Sequence, residues 1–323
     1  MKRIIGGMSL ILVVLAFASF IAGQARGTSD SVQAAGNGVP LSNPLKVALL
    51  KWSTNQNTDF TVGSVPYGIV FDGANIWTAN NGDGTLSKLQ ANDGTNLGTF
   101  RVGSGPYALA YDGANVWVAN SMGNNVTKLR ASDGTALGTF TVGTDPSALA
   151  FDGANIWVAN GLDGTVSKLL AKTGATLGTF PISGGAAGLA FDGKYVWVTN
   201  TTTVTKIKLD GTVVGVYNVG ASPRGIAFDG VDMWVGNSGS NTVTKLRASD
   251  GTTLGTFNVG TSPFALAFDS ASMWVTAAPR VFQLRLTDGV IIGEGYASGA
   301  AGIAFDGANI WVTKFNGKTV AKF

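Results

Sequence analysis

The segment FDGANIWVAN, residues 151–160, recurs with small changes seven times in this chain of 323 residues. Each copy carries one tryptophan, and the seven are Trp77, Trp117, Trp157, Trp197, Trp234, Trp274 and Trp311. Successive tryptophans are 40, 40, 40, 37, 40 and 37 residues apart. A period of about 40 residues with several short strand-like runs is typical of a β-propeller, in which four-stranded blades surround an axis. The sequence therefore predicts an all-β fold, a seven-bladed β-propeller.

The second copy shows the four strands predicted for each blade. Residues 107–111, 115–120, 126–130 and 137–142 are runs of apolar, β-branched and aromatic side chains, which favour strands. Asp-Gly pairs follow the first and third runs, and such pairs favour tight hairpin turns. Thirteen of the 18 aspartates in the chain precede a glycine, so turn geometry accounts for most of the acidic residues.

The two ends of the repeat region predict how the ring closes. The last copy stops at its third strand, residues 320–323, whereas residues 57–62 near the start match the outer strand at 137–142. We therefore expect residues 57–62 to complete the seventh blade, which removes the exposed sheet edges of an open ring. The propeller domain is predicted to span residues 46–323.

The first 45 residues predict export. Lys2 and Arg3 precede an apolar stretch of 15 residues, Met8 to Ala22, and small residues follow at Gly23 and Ala25. This pattern is typical of a cleaved signal peptide over residues 1–25, because a retained anchor needs about 20 apolar residues. Residues 26–45 are small, polar and proline-punctuated, as in a flexible linker. The expected location is periplasmic, cell-surface or extracellular, with no membrane span after cleavage.

Composition excludes several classes of function. The net charge is +3, or +1 without Lys2 and Arg3, and no basic run offers an electrostatic footprint for nucleic acid. The chain has no histidine, no cysteine and one glutamate, Glu294, so Ser-His-Asp and Cys-His catalysis are excluded. The sequence favours a protein that is not an enzyme and predicts no cofactor and no metal site.

Candidate ligand-binding residues come from the positions that vary between copies. The first residue after the usual proline of each inner strand lies at one mouth of the channel, and these residues are Tyr67, Tyr107, Ser147, Ala187, Arg224, Phe264 and Ala301. Asp145 lies at the same mouth without a turn to explain it. We predict a site formed by Tyr67, Tyr107, Asp145, Arg224 and Phe264, since aromatic rings and an arginine in a concave mouth can bind a ligand. The alternative is that these rings only plug the channel.

Further residues are expected near that mouth or explained by structure alone. The loops between second and third strands add Met122, Arg280, Lys314 and Phe315 to the same face. We expect the seven tryptophans to fill the interfaces between blades. A lysine recurs on the third strand of six blades, and we expect these lysines to be solvated near the rim.

The pattern GxxPxxLAFDG–WVAN–VTKL resembles YVTN and NHL-type seven-bladed propellers, and most nearly the streptogramin (virginiamycin B) lyase-like group. The resemblance covers about residues 46–323 and implies the fold. In that lyase family a histidine and glutamates on one face bind magnesium and drive ring opening. None of those residues can be carried over to a chain that lacks histidine and has only Glu294, so the resemblance does not transfer the activity.

Three functions remain open from the sequence. The first is an exported, non-catalytic propeller that binds a peptide, a glycan, an envelope component or another protein at the channel mouth. The second is a lyase-like enzyme with altered chemistry that uses Asp145, Tyr107, Arg224 or Glu294. The third is a structural protein of the cell surface or envelope. The lack of histidine favours the first and third.

Overall fold

The computed structural model describes residues 58–323. Seven antiparallel sheets of four strands each follow one another along the chain, which confirms the predicted seven-bladed propeller. The predicted signal peptide (1–25), the predicted linker (26–45) and residues 46–57 lie outside the described part. Within residues 58–323, no helix has the length and apolar character needed to cross a membrane.

The strands of the first three blades are short and nearly equal in length. Blade 1 consists of β2 (Pro66–Phe71), β3 (Asn75–Asn80), β4 (Thr85–Gln90) and β5 (Asn96–Arg101); blade 2 of β6 (Pro106–Tyr111), β7 (Asn115–Asn120), β8 (Asn125–Arg130) and β9 (Ala136–Thr141); and blade 3 of β10 (Pro146–Phe151), β11 (Asn155–Asn160), β12 (Thr165–Leu170) and β13 (Thr176–Pro181). A single 3-10 turn, η1 (Ser121–Gly123), joins β7 to β8.

The remaining blades repeat this order, with the last one shared between the two ends of the described chain. Blade 4 consists of β14 (Leu189–Phe191), β15 (Val196–Thr199), β16 (Thr203–Ile207) and β17 (Val213–Asn218); blade 5 of β18 (Pro223–Phe228), β19 (Asp232–Asn237), β20 (Thr242–Arg247) and β21 (Thr253–Asn258); blade 6 of β22 (Leu266–Phe268), β23 (Ser272–Ala277), β24 (Arg280–Arg285) and β25 (Ile291–Tyr296); and blade 7 of β26 (Ala300–Phe305), β27 (Ile310–Lys314), β28 (Thr319–Lys322) and β1 (Thr58–Thr61).

The N-terminal strand closes blade 7 in the predicted way. In β1, Thr58 pairs with Lys322 and Thr61 pairs with Thr319, and the Val62 amide donates to the Lys318 carbonyl at 2.9 Å. The prediction of an outer strand from residues 57–62 is thus confirmed over Thr58–Thr61, while residue 57 lies outside the described part.

Each tryptophan of the repeat is held by the aspartate five residues before it. Asp152 begins the turn after β10 and accepts hydrogen bonds from the amides of Ala154 (2.9 Å) and Asn155 (2.6 Å) and from the indole N–H of Trp157 (2.8 Å). The Trp157 ring is fully buried between blades 3 and 4, as predicted. Burial raises the pKa of the Asp152 carboxyl, but the donated hydrogen bonds outweigh it and lower the pKa overall. These aspartates therefore anchor the blade core as well as the turn.

The recurrent lysine is not solvated at the rim, and that prediction was wrong. Lys206 is 1% exposed, and its ammonium lies 4.9 Å from the centroid of the Trp197 ring. The same ammonium donates to the carbonyl of Ala248 in the next blade at 2.6 Å. The expectation failed because the third strand faces the neighbouring blade, where backbone carbonyls replace water around the charge. The lysine therefore links adjacent blades.

An aromatic ring on the outer strand completes each link. Phe140 lies 5.6 Å from Trp117, ring centroid to ring centroid, and covers the turn of the next blade. A Cβ at Gly174 in that turn (φ +79) would lie 2.0 Å from the Phe140 ring, so the turn requires glycine. We call the tryptophan, lysine and outer-strand ring that hold the next blade's turn the interblade clamp. Its six lysines are Lys88, Lys128, Lys168, Lys206, Lys245 and Lys322, each donating to a carbonyl of the next blade at 2.6–2.9 Å.

Blade 6 is the one blade that lacks this clamp. Gln283 stands at the lysine position and donates to Ser272 of its own blade at 3.0 Å. Gly295 stands at the ring position, opposite Val281. The neighbouring blade 7 takes its outer strand from β1 and has no turn between its third and fourth strands. The clamp is therefore missing where the turn it would hold does not exist.

Candidate functional site

The candidate site lies at the mouth of the channel where the inner strands begin. The first strand of each blade begins at this face, and because the strands are antiparallel, the loop between the second and third strands lies at the same face. The turns between the first and second strands and between the third and fourth strands lie at the opposite face. Six of the seven predicted positions line a small axial cavity of about 220 Å³, and these are Tyr67, Tyr107, Ser147, Ala187, Arg224 and Phe264. The seventh, Ala301, is buried at 2% exposure and does not line the cavity.

Four aromatic rings from adjacent blades pack together on one side of the mouth. The Tyr67 ring centroid lies 5.0 Å from Tyr107, 6.1 Å from Phe264 and 5.8 Å from Phe315, whose plane is 6° from its own. We call these four residues the mouth aromatic cluster. It joins rings of blades 6, 7, 1 and 2 on this side of the mouth.

Arg224 lies against the edge of the cluster. Its guanidinium carbon lies 5.7 Å from the centroid of the Phe264 ring, and the residue as a whole is exposed. Burial raises the pKa of the Tyr107 phenol, and the charge of Arg224 and a hydrogen bond from it oppose that rise. Tyr107 is thus a neutral phenol at physiological pH, with the guanidinium beside its hydroxyl.

The other side of the mouth is open. A hollow of about 410 Å³, which we call the mouth hollow, lies over blades 2 to 5. Its walls include Tyr107, Asp145 and Arg224, and Ser147 and Ala187 line it from the small-residue blades. The Ser147 hydroxyl donates to the carbonyl of Ala187 at 2.9 Å and has no base beside it among the described residues. The small side chains of blades 3 and 4 therefore leave open a space that, in blades 1, 2 and 6, aromatic rings fill.

Asp145 is held firmly by its backbone while its carboxylate stays unengaged. The Asp145 amide donates to Asn124 Oδ1 at 3.1 Å, and its carbonyl accepts from the Gly161 amide at 2.8 Å. Its φ of 55° lies in the left-handed region, which aspartate tolerates better than most residues. Within residues 58–323 the carboxylate makes no hydrogen bond or ion pair.

Within residues 58–323, the other aspartates that do not precede a glycine, and the single glutamate, are engaged elsewhere. Glu294 forms an ion pair with Arg280, and Asp59 pairs with Lys314 at 2.6 Å. Asp269 accepts the Trp274 indole N–H at 2.6 Å. Asp232 begins β19 and pairs with Lys245 at 2.9 Å in a nearly buried contact. Asp145 is therefore the acid that remains available at the mouth.

The structure brings together all five residues predicted for the site. Tyr67, Tyr107 and Phe264 are half-buried in the mouth aromatic cluster, while Asp145 and Arg224 border the mouth hollow beside it. Of the loop residues expected nearby, Phe315 joins the cluster, whereas Arg280 and Lys314 are taken up by ion pairs. Met122 is 70% exposed on η1. The role of these residues in binding stays a prediction.

No metal centre is apparent in the part of the chain that the structure describes. Among residues 58–323, no group of three or more histidine, cysteine, aspartate or glutamate side chains comes together. The polar side chains that line the mouth hollow are one carboxylate, one guanidinium, one phenol, one amide and four hydroxyls. This set suits charge pairing and hydrogen bonding with a ligand.

Comparison with known proteins supports the fold. No family model and no curated sequence matches the chain. Among solved structures, a streptogramin B lyase matches with a TM-score of 0.72 and 19% identity over 84% of this chain and 98% of that chain. Kuenenia stuttgartiensis hydrazine synthase matches with a TM-score of 0.72 and 17% identity over 82% of this chain and 96% of that chain. These likenesses confirm a seven-bladed propeller similar to streptogramin B lyase and extend to the fold alone.

Proposed function

We propose that this protein is an exported, non-catalytic binding protein that holds its ligand in the mouth hollow. The observation that carries the proposal is the pair of available charges at one concave surface. The Asp145 carboxylate has no partner within residues 58–323, and the Arg224 guanidinium is exposed beside Tyr107. A hollow with an aromatic wall and a few convergent polar groups is the usual form of a ligand site.

Tyr107 is the ring of the mouth aromatic cluster that lines the mouth hollow, and the other rings of the cluster hold it in place. The rings of Tyr67, Tyr107 and Phe264 pack on one another with centroids 5.0–6.4 Å apart, so they need little ordering when a ligand arrives. A preformed wall lowers the entropic cost of binding. The candidate ligands are a peptide, a glycan or a segment of another protein that carries an apolar part next to polar groups.

The residue types at the mouth favour binding over catalysis. General acid–base chemistry needs a base and an acid with matched pKa values within reach of one substrate. The chain has no histidine and no cysteine, and the mouth hollow offers one available carboxylate. The lyase-like alternative would have to work with Asp145, Tyr107 and Arg224 alone.

Export rests on the sequence of the first 25 residues. The basic start, the apolar stretch and the small residues at Gly23 and Ala25 suit signal peptidase. Mass spectrometry of the mature protein is expected to place its N-terminus near Ala25. An intact Met1 on a cytoplasmic protein would contradict export.

A thermal-shift screen with a matched pair of variants tests the binding function. Asp145→Asn/Arg224→Gln removes both charges of the mouth hollow, and Asn keeps the left-handed backbone of residue 145. Asp133→Asn/Arg130→Gln removes one exposed aspartate and arginine from a turn on the opposite face. Compounds that stabilise the parent protein are expected to bind the control variant, Asp133→Asn/Arg130→Gln, with the same apparent affinity. Their apparent affinity for the mouth variant, Asp145→Asn/Arg224→Gln, is expected to fall at least tenfold.

Three other outcomes have distinct meanings. Equal binding to both variants would refute the mouth hollow as the site. Conversion of a bound compound to product would establish the enzymatic alternative. If no compound binds and cells that lack the protein lose the integrity of their envelope, the structural alternative is favoured.

A further inference from the structure

The two charges that border the mouth hollow have opposite signs and do not neutralise each other. Asp145 and Arg224 both line the hollow, yet they form no ion pair. Elsewhere in blades 2 to 7 exposed arginines do pair with acids, as Arg130 does with Asp133 at 2.9 Å. The mouth hollow therefore separates two charges that a ligand can reach on its two sides.

The surroundings of each charge fix its position. The Asp145 loop is held by its backbone hydrogen bonds to Asn124 and Gly161, so its carboxylate projects from a fixed backbone. The Arg224 guanidinium lies 5.7 Å from the centroid of the Phe264 ring, and no acid pairs with it among residues 58–323. A guanidinium edge matches a carboxylate through two parallel hydrogen bonds.

The Tyr107 phenol lies within electrostatic reach of both charges. Burial is the largest influence on the pKa of this phenol and raises it, while the Arg224 charge lowers the pKa and the Asp145 charge raises it. Tyr107, Asp145 and Arg224 thus line one hollow, and the size of that hollow limits the ligand that can lie between the two charges. The hollow volume of about 410 Å³ is in the range of sites for small ligands.

We propose that the ligand of the mouth hollow is a zwitterion with a free ammonium and a free carboxylate, of the size of an amino acid or a dipeptide. The ammonium pairs with Asp145, the carboxylate pairs with Arg224, and an apolar side chain rests on the Tyr107 ring and on Leu162, which is 76% exposed in the mouth loop of blade 3. A ligand with one charge would satisfy one partner and leave the other unpaired. This inference rests on the proposed binding function and specifies its ligand class.

Isothermal titration with alanyl-phenylalanine and its two capped forms tests the proposal. The free dipeptide is expected to bind about tenfold or more tightly than N-acetyl-alanyl-phenylalanine and than alanyl-phenylalanine amide, because each cap removes one charge-assisted contact. Asp145→Asn is expected to abolish the preference over the acetylated form alone. Arg224→Gln is expected to abolish the preference over the amide alone, and Asp133→Asn is expected to keep both preferences.

The outcomes separate this inference from the function on which it rests. The free and capped dipeptides could bind the parent with equal affinity and fail to bind both mouth variants. That result would overturn the zwitterion and keep the mouth hollow as the binding site. Binding that neither mouth variant changes would overturn the zwitterion and the site together. If the dipeptide does not bind, but compounds from the thermal-shift screen bind the parent and fail to bind the mouth variants, the zwitterion proposal is wrong and the mouth hollow remains the binding site.

Discussion

Replacement of Lys206 by methionine tests the interblade clamp at its most buried lysine. The Lys206 ammonium donates to the carbonyls of Ala248 (2.6 Å) and Ser249 (3.3 Å) in the next blade and lies 4.9 Å from the Trp197 ring centroid. Methionine fills a similar volume but provides neither the charge nor the donors. The variant should therefore lose the link between blades 4 and 5 without leaving a large cavity.

The expected loss follows from the contacts that disappear. A desolvated cation–π contact contributes about 1–2 kcal/mol, and a hydrogen bond from a charged donor contributes about 1.5–3 kcal/mol. Because Ser249 is exposed, its carbonyl can return to water, and removal of a buried ammonium recovers part of its desolvation cost. We expect a net loss of about 2 kcal/mol in the free energy of unfolding, which corresponds to about 4 °C in Tm for a domain of this size.

Urea denaturation followed by tryptophan fluorescence measures this loss, and blade 6 provides the control. Gln283 occupies the equivalent position and bonds only within its own blade among the described residues, so Gln283→Met should cost less than about 1 kcal/mol. Equal losses in the two variants would show that the lysine contributes nothing specific. A Lys206→Met protein as stable as the parent would refute the clamp outright.

Three further predictions concern acid stability, ring closure and chemistry. Burial raises the pKa of the Asp112 carboxyl, but hydrogen bonds from Trp117, Asn115 and two amides outweigh it and lower the pKa overall. The contribution of Asp112 to stability is therefore complete above the pKa of the unfolded chain, about 4, and is lost as pH falls through the lower pKa of the folded protein. Denaturation curves at pH 7, 4 and 3 should show the parent losing stability below about pH 4, and Asp112→Asn, less stable at pH 7, should lose less over that interval. A chain that begins after Gly63 exposes the edge of β28 and should aggregate on size-exclusion chromatography, whereas a monodisperse product would contradict closure by β1. The purified protein with added magnesium should not linearise streptogramin B antibiotics, and turnover above a buffer blank would contradict the non-catalytic account.

The architecture could be predicted from the sequence because each blade corresponds to one copy of a sequence repeat. Seven tryptophans at a spacing of about 40 residues and the match between residues 57–62 and 137–142 were sufficient for blade number and for ring closure. Both features depend on local patterns that do not require knowledge of distant contacts.

The role of the lysines could not be predicted in the same way. A lysine on a strand such as Lys206 is indistinguishable in one sequence from a solvated one, because its partners are carbonyls about 42 residues away in the next blade. One signal was present: the lysine is missing from blade 6 together with the outer-strand aromatic, at Gln283 and Gly295. A coordinated absence of two residues points to a shared contact.

The site was predicted as a set of positions but not as a shape. The variable residues at the inner-strand starts gave Tyr67, Tyr107, Arg224 and Phe264, and Asp145 came from elimination of the acids in turns. The division of the mouth into a packed aromatic side and an open polar side depends on side-chain sizes in neighbouring blades. Ser147 and Ala187 therefore matter as much as the rings, because they leave the hollow unfilled.

The most direct test of the account is a crystal structure of residues 26–323 soaked with compounds that stabilise the protein in the thermal-shift screen. The account predicts ligand density in the mouth hollow, with polar groups within hydrogen-bond distance of the Asp145 carboxylate and the Arg224 guanidinium and an apolar group against the Tyr107 ring. Density at another surface, with the mouth hollow occupied by solvent alone, would contradict the claim that this mouth is the binding site.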